Sequence, residues 1–204
     1  MEKLKTDILK IINFLPRPFY GLLSATVGIA GDIIAISLFP NFNLSNMISD
    51  LGTGPGAIYF NIGTFLSGVF ALLTYLHIVE NLEKENINHP KVLRIGKVFA
   101  INSCVFFALI GVFPAVRSNI LLIVIHGGVA LISLVSGVIC LSSFSYLFFK
   151  SEKFSGLVGY LPLIAVSCIV PFLFSWHPIT EWIMTFGITF WIVAISIYML
   201  YHKM

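Results

Sequence analysis

The residues with chemistry to offer are few in this chain, and several of them sit inside apolar stretches. Asp32, Asn61 and His126 interrupt hydrophobic runs, Ser49 and Asp50 lie in a polar connection, and Arg117, His177 and Glu181 flank other runs. An ionisable side chain near the middle of a bilayer costs ~2.5–3.5 kcal/mol on insertion scales and usually faces the protein interior, paired or functional. A pocket containing these histidines, carboxylates, arginine and hydroxyls would suit hydrolysis or group transfer on a lipid or lipid-linked substrate. In one version His126, His177 and a carboxylate hold a metal that activates water. In another, His126 oriented by Asp32 is a general base while Arg117 holds a phosphate. The chain has no H-E-x-x-H, no G-x-S-x-G and no H-x-x-x-H on one helix, so no metal site is assigned and the cofactor is unknown. Asp32, His126, Asp50 and Glu181 are the catalytic candidates; Ser49, Asn61, Arg117 and His177 are the ligand-binding ones.

Each candidate also has a purely structural reading. Asp32 and His126 would pair to tie two helices together. Asp50 would make an Asx-type turn before Leu51-Gly52, and Glu181 would answer the positive end of a helix dipole just after Pro178. His177 lies between Trp176 and Trp182, both typical of the headgroup level, and Arg117 would touch outer headgroups.

The elements that position these residues follow from hydropathy. A hydrocarbon layer of ~30 Å needs about 20 apolar residues in a helix, and six stretches qualify: about 19–39, 56–79, 95–116, 119–149, 155–175 and 179–201. The composition agrees, with 58% hydrophobic and 10% charged residues against ~25% charged in soluble domains. Of the 12 Lys and Arg residues, only Arg117 falls on one side of this pattern. The basic side is expected in the cytoplasm, with both termini there. The fold class is therefore all-α: a polytopic integral membrane protein, a six-helix bundle over 19–204. Residues 1–18 precede it as a cytoplasmic amphipathic segment, with Leu4, Ile8, Ile11, Ile12 and Leu15 at helical spacing. No cleavable signal peptide is evident, and an integral membrane location is expected. The formal charge of +3 suits anionic lipid headgroups, so membrane lipids are the expected partners and nucleic acid is not; the oligomeric state is open. Cys104, Cys140 and Cys168 lack metal or redox spacing and read as packing residues.

Counting along these helices places Asp32 and His126 at the same depth, ~10 Å below the outer surface, with Asn61 slightly higher and Arg117, His177 and Glu181 around the mouth. The connection from Pro40 to Pro55 places Leu44, Met47, Ile48 and Leu51 on one face of a short helix, capped by Asn43 and ended by Gly52 at positive φ. It would act as a lid. Pairs such as Ser24 with Gly28 and Ser133 with Gly137 let helices approach closely in lipid, within the chain or between copies. The fourth stretch would extend ~46 Å, so either Gly127-Gly128 marks a kink or its ends project beyond the hydrocarbon. No internal repeat is visible.

The run Ile48-Ser49-Asp50-Leu51-Gly52, followed by Phe60-Asn61-x-Gly63, then Gly111-Val112-Phe113-Pro114, His126 and Glu181, resembles the prokaryotic six-helix membrane family catalogued as domain of unknown function 998. The resemblance covers nearly the whole chain and implies a prokaryotic cell membrane as its location. It implies that Ser49, Asp50, Gly52, Asn61, Pro114, His126 and Glu181 are the positions to test, and it implies no reaction. Ala115-Val116 departs from it, since an acidic residue is usual there. Three functional readings follow: an outward-facing pocket that binds or hydrolyses a lipid-like molecule, a non-catalytic structural or interaction protein, and a small proton-coupled transporter using Asp32 and His126 as a relay.

Overall fold

Proline, asparagine and histidine stand at four of the helix starts. In the computed structural model, which describes residues 15–85, 87–154 and 156–204, α1 (Phe19–Leu38) begins directly after Pro18. A 3-10 helix (Ile48–Thr53) precedes α2 (Ala57–Lys84). α3 (Pro90–Val112) opens on a proline, whose missing N–H is no loss in the first turn. α4 (Ile120–Phe148) is capped by Asn119, whose side-chain oxygen accepts from the N–H groups of Leu121 and Leu122. α5 (Tyr160–Ser175) and α6 (Pro178–Tyr201) complete the order. The amphipathic segment expected over 1–18 falls, for residues 1–14, outside the described residues.

Five of these helices are long and apolar enough to cross a bilayer and α5 is apolar but shorter, so the protein is a multi-pass helical membrane protein. Hydropathy misplaced some ends for physical reasons. α2 continues to Lys84 and α3 starts at Pro90 because helix persists beyond the hydrocarbon, where its residues turn polar. α5 starts at Tyr160, later than expected, because successive turns occupy 156–159; the Ser145 hydroxyl donates to the Gly159 carbonyl at 2.7 Å and holds them. α4 runs unbroken through Gly127-Gly128, so these glycines mark no break in the helix.

Each helix packs on its neighbours in sequence, and α6 returns to α1, so the six form a closed ring. Small residues set the tightest approaches. A Cβ on Gly31 would stand 2.7 Å from the Tyr59 carbonyl oxygen, and one on Gly111 would stand 2.3 Å from that of Asn61. Ser24 donates to the Ser67 carbonyl at 2.9 Å, joining α1 to α2, and Ser133 donates to the Ser103 carbonyl at 2.9 Å, joining α4 to α3. The small-residue faces are thus used within the chain.

One end of the ring is packed solid. Ile78, Leu82, Phe144, Phe148, Trp191 and Ile195 are almost wholly buried there. The Phe148 and Phe154 rings stack with centroids 4.1 Å apart, and the Trp191 indole N–H donates to the Tyr75 hydroxyl at 2.9 Å. The same end carries the pairs Arg17–Glu80 and Lys97–Glu83. Glu85 accepts there from the backbone N–H groups of Glu152 and Lys153 at 2.7 and 2.8 Å, and the Met204 carbonyl oxygen lies 3.3 Å from His77 Nε2. Both ends of the described chain therefore meet at this basic face.

Candidate functional site

The opposite end is closed by the segment between α1 and α2. Ile48 and Leu51 anchor it in a cluster with Ala35 and Phe60, flanked by Phe39, Phe42 and Trp182. Its 3-10 helix starts later than the sequence suggested. Met47 is the N-cap, and its N–H donates to Asp50 Oδ2 at 3.2 Å. Asn43 instead organises the preceding turn, accepting from the Ser45 N–H at 2.9 Å. Gly52 lies inside the 3-10 helix, and no glycine with positive φ occurs among the described residues. Its lack of a side chain is required by space, since a Cβ would come within 2.9 Å of Asn61 Oδ1.

Two helices and the connection before α4 fasten this lid. Glu181, in the first turn of α6 and only 7% exposed, accepts from the N–H groups of Ile48 at 2.7 Å and Ser49 at 3.3 Å. Its carboxylate satisfies donors at the start of a 3-10 helix that have no partner within it. Trp182 donates to the Asn46 carbonyl at 3.2 Å. From α2, Asn61 donates to the Gly52 carbonyl at 3.1 Å. Arg117, in the connection before α4, donates to Asp50 Oδ1 at 2.7 Å, with 73% of its side chain exposed. Asp50 therefore serves both the cap and the ion pair.

Beneath the lid the ring encloses a cavity of about 600 Å3 to which all six helices contribute. It reaches from Asp50, Arg117, Trp176 and Glu181 at the mouth to Tyr75, Leu141 and Ile192, where the solid packing begins. Most of its wall is apolar, built from residues such as Phe60, Phe107, Ile110, Ala130, Leu134, Ile169 and Met184. Asp32, His126, Ser49, Asp50, Arg117 and Glu181 all line it.

The expected Asp32–His126 pair is absent among the described residues. His126 Nδ1 lies 2.8 Å from the Phe113 carbonyl oxygen, which can only accept, so Nδ1 carries a proton, and in the neutral form of the ring Nε2 is then an acceptor. Asp32 makes neither a hydrogen bond nor an ion pair among the described residues. His177 and Asn61 do not line the cavity. His177 is exposed and caps α6, its Nδ1 accepting from the Ile179 N–H at 3.3 Å. No group of three metal-ligating side chains occurs among the described residues, and the pairing of His126 with His177 is not made.

The family model described as "Protein of unknown function (DUF998)" matches residues 22–198. The chain belongs to this family. No curated protein and no solved structure matches it. The residues on which the DUF998 resemblance rests, scattered through the sequence, meet around the lid. Ser49, Asp50 and Gly52 form it, Asn61 and Glu181 fasten it, and Gly111 is where α3 packs against the Asn61 backbone. Phe113 supplies the carbonyl that holds His126.

Two features of this DUF998 site escaped sequence reasoning. Glu181 was legible as a catalytic candidate at the mouth and as a charge near its own helix dipole, but not as the cap of a segment 133 residues earlier. The deep apolar cavity gave no signal, because a wall facing empty space and one facing a neighbouring helix have the same composition.

Proposed function

We propose that this protein binds one amphiphilic, lipid-like molecule, its apolar chain inside the ring and its polar head among Asp32, His126, Ser49 and the Asp50–Arg117 pair. The observation that carries this reading is the division of the cavity: about 600 Å3 with mostly apolar walls, and its ionisable groups gathered at the lidded end. That volume lies within the ~300–1,000 Å3 of small-molecule sites. With the basic face in the cytoplasm, as the distribution of Lys and Arg favours, the lid faces the outside of a prokaryotic cell membrane. The aromatic packing around Trp191 and Tyr75 supports a blind receptacle over a transport path. Binding is supported further than turnover, since no hydroxyl or thiol is hydrogen-bonded to His126 among the described residues.

The test is native mass spectrometry with lipid identification on gently extracted protein. Gly127 lines the cavity and a Cβ there meets nothing within 4 Å, so Gly127→Phe brings a bulky side chain into the space from a position open at its first carbon. Wild type is expected to retain one class of amphiphile that Gly127→Phe loses at unchanged melting temperature. Equal retention by both, or no retained amphiphile in wild type, overturns the proposal.

A further inference from the structure

Resting on the receptacle reading, we infer that the head accepted by this cavity is cationic: an amine-bearing amphiphile rather than a phosphate- or carboxylate-bearing one. Among the described residues, the charged groups lining the cavity are Asp32, Asp50, Glu181 and Arg117, with His126 the only histidine. Three carboxylates thus face one guanidinium, and none of the described lysines contributes. That guanidinium is already committed, donating to Asp50 at 2.7 Å from an exposed position at the mouth. Glu181 is satisfied by two backbone N–H groups.

Among the ionisable groups, what remains for a ligand is the Asp32 carboxylate and His126 Nε2, an acceptor in the neutral ring whose Nδ1 donates to Phe113. Both are acceptors lining one cavity. An ammonium head brings three donors, no acceptor and the opposite charge. A phosphate or carboxylate head brings acceptors to acceptors and adds negative charge where it already exceeds positive, which disfavours it. Between apolar walls a carboxylate is favoured in its charged form by an opposite charge brought beside it.

The experiment uses three photoactivatable probes with the same alkyl chain, carrying a diazirine near its end and headed by a primary amine, a hydroxyl or a carboxylate. They are added to the protein in phosphatidylcholine nanodiscs, and crosslinked peptides are mapped. The amine probe is expected to label cavity-lining peptides at about tenfold lower concentration than the hydroxyl probe, the size of one charge-assisted hydrogen bond, with the carboxylate probe weakest. Asp32→Asn should bring the amine down to the hydroxyl level and leave the hydroxyl probe unchanged; Asp32→Glu should keep the preference. The wild-type selectivity needs no variant, so a failure of Asp32→Asn to fold does not remove the test. Equal labelling by amine and hydroxyl, as a protonated Asp32 would give, overturns the charge inference and leaves the receptacle standing, as does a preference for the carboxylate. Labelling confined to lipid-facing residues with all three probes, unaltered by Gly127→Phe, overturns both.

Discussion

Glu181 and Arg117 both fasten the lid, but burial separates their contributions. Glu181 is almost wholly buried and receives two N–H bonds. Glu181→Gln keeps the shape but loses the charge and turns one amide NH2 toward donors. It should cost about 1–3 kcal/mol, the range for a hydrogen bond to a charged group or a donor left unsatisfied, read as a lower melting temperature in detergent. The exposed Arg117–Asp50 pair falls in the class worth about 0–1 kcal/mol. Arg117→Ala should therefore lower the melting temperature little, and the difference between the two variants should survive at high salt. A larger effect of Arg117→Ala than of Glu181→Gln would contradict this ranking. At this scale the sequence was partly legible: Asp32, Asp50, His126, Arg117 and Glu181 stood out because charges are costly in hydrocarbon. Their partners were not, since Glu181 and Asp50 answer backbone groups of the lid and His126 answers a carbonyl, which hydropathy and residue type do not report.

Among the helices, glycine serves two opposite purposes. Gly111 sits where α3 meets the α2 backbone, while Gly127 faces open cavity. Gly111→Ala must push two backbones apart and should cost about 1–3 kcal/mol, as overpacking does, whereas Gly127→Ala should be tolerated. Thermal melting of the two purified variants distinguishes them; equal losses would mean that the α2–α3 contact is not as close as described. The spacing of Ser24 with Gly28 and of Ser133 with Gly137 marked the faces of close approach but could not choose between a partner within the chain and a second copy. That choice is made by segments far apart in sequence. The 3-10 helix was read too early because Asn43 is a good cap in isolation, whereas the burial of Ile48 and Leu51 and the carboxylate of Glu181 decide where the turn begins.

For the whole molecule, the six apolar stretches and the basic asymmetry were legible because the bilayer imposes length and charge rules that single residues obey. The ring was not, since the return of α6 to α1 depends on side-chain fit between the two ends of the bundle. Topology can be checked with Ser45→Cys and Lys84→Cys, each at an exposed position, in a Cys168→Ser background. A membrane-impermeant thiol reagent should label the first and spare the second in intact cells; labelling of Lys84→Cys from outside would reverse the orientation. The ring also carries a consequence for biogenesis. The lid segment and Asp32 leave the ribosome long before Glu181, which lies 133 residues after Ile48, so a nascent chain holding only the early helices has an unlatched loop and a carboxylate turned toward lipid. Completion of the last helix closes the wall and fastens the lid together, and a stalled chain would display to membrane quality control the polar surface that the finished protein hides.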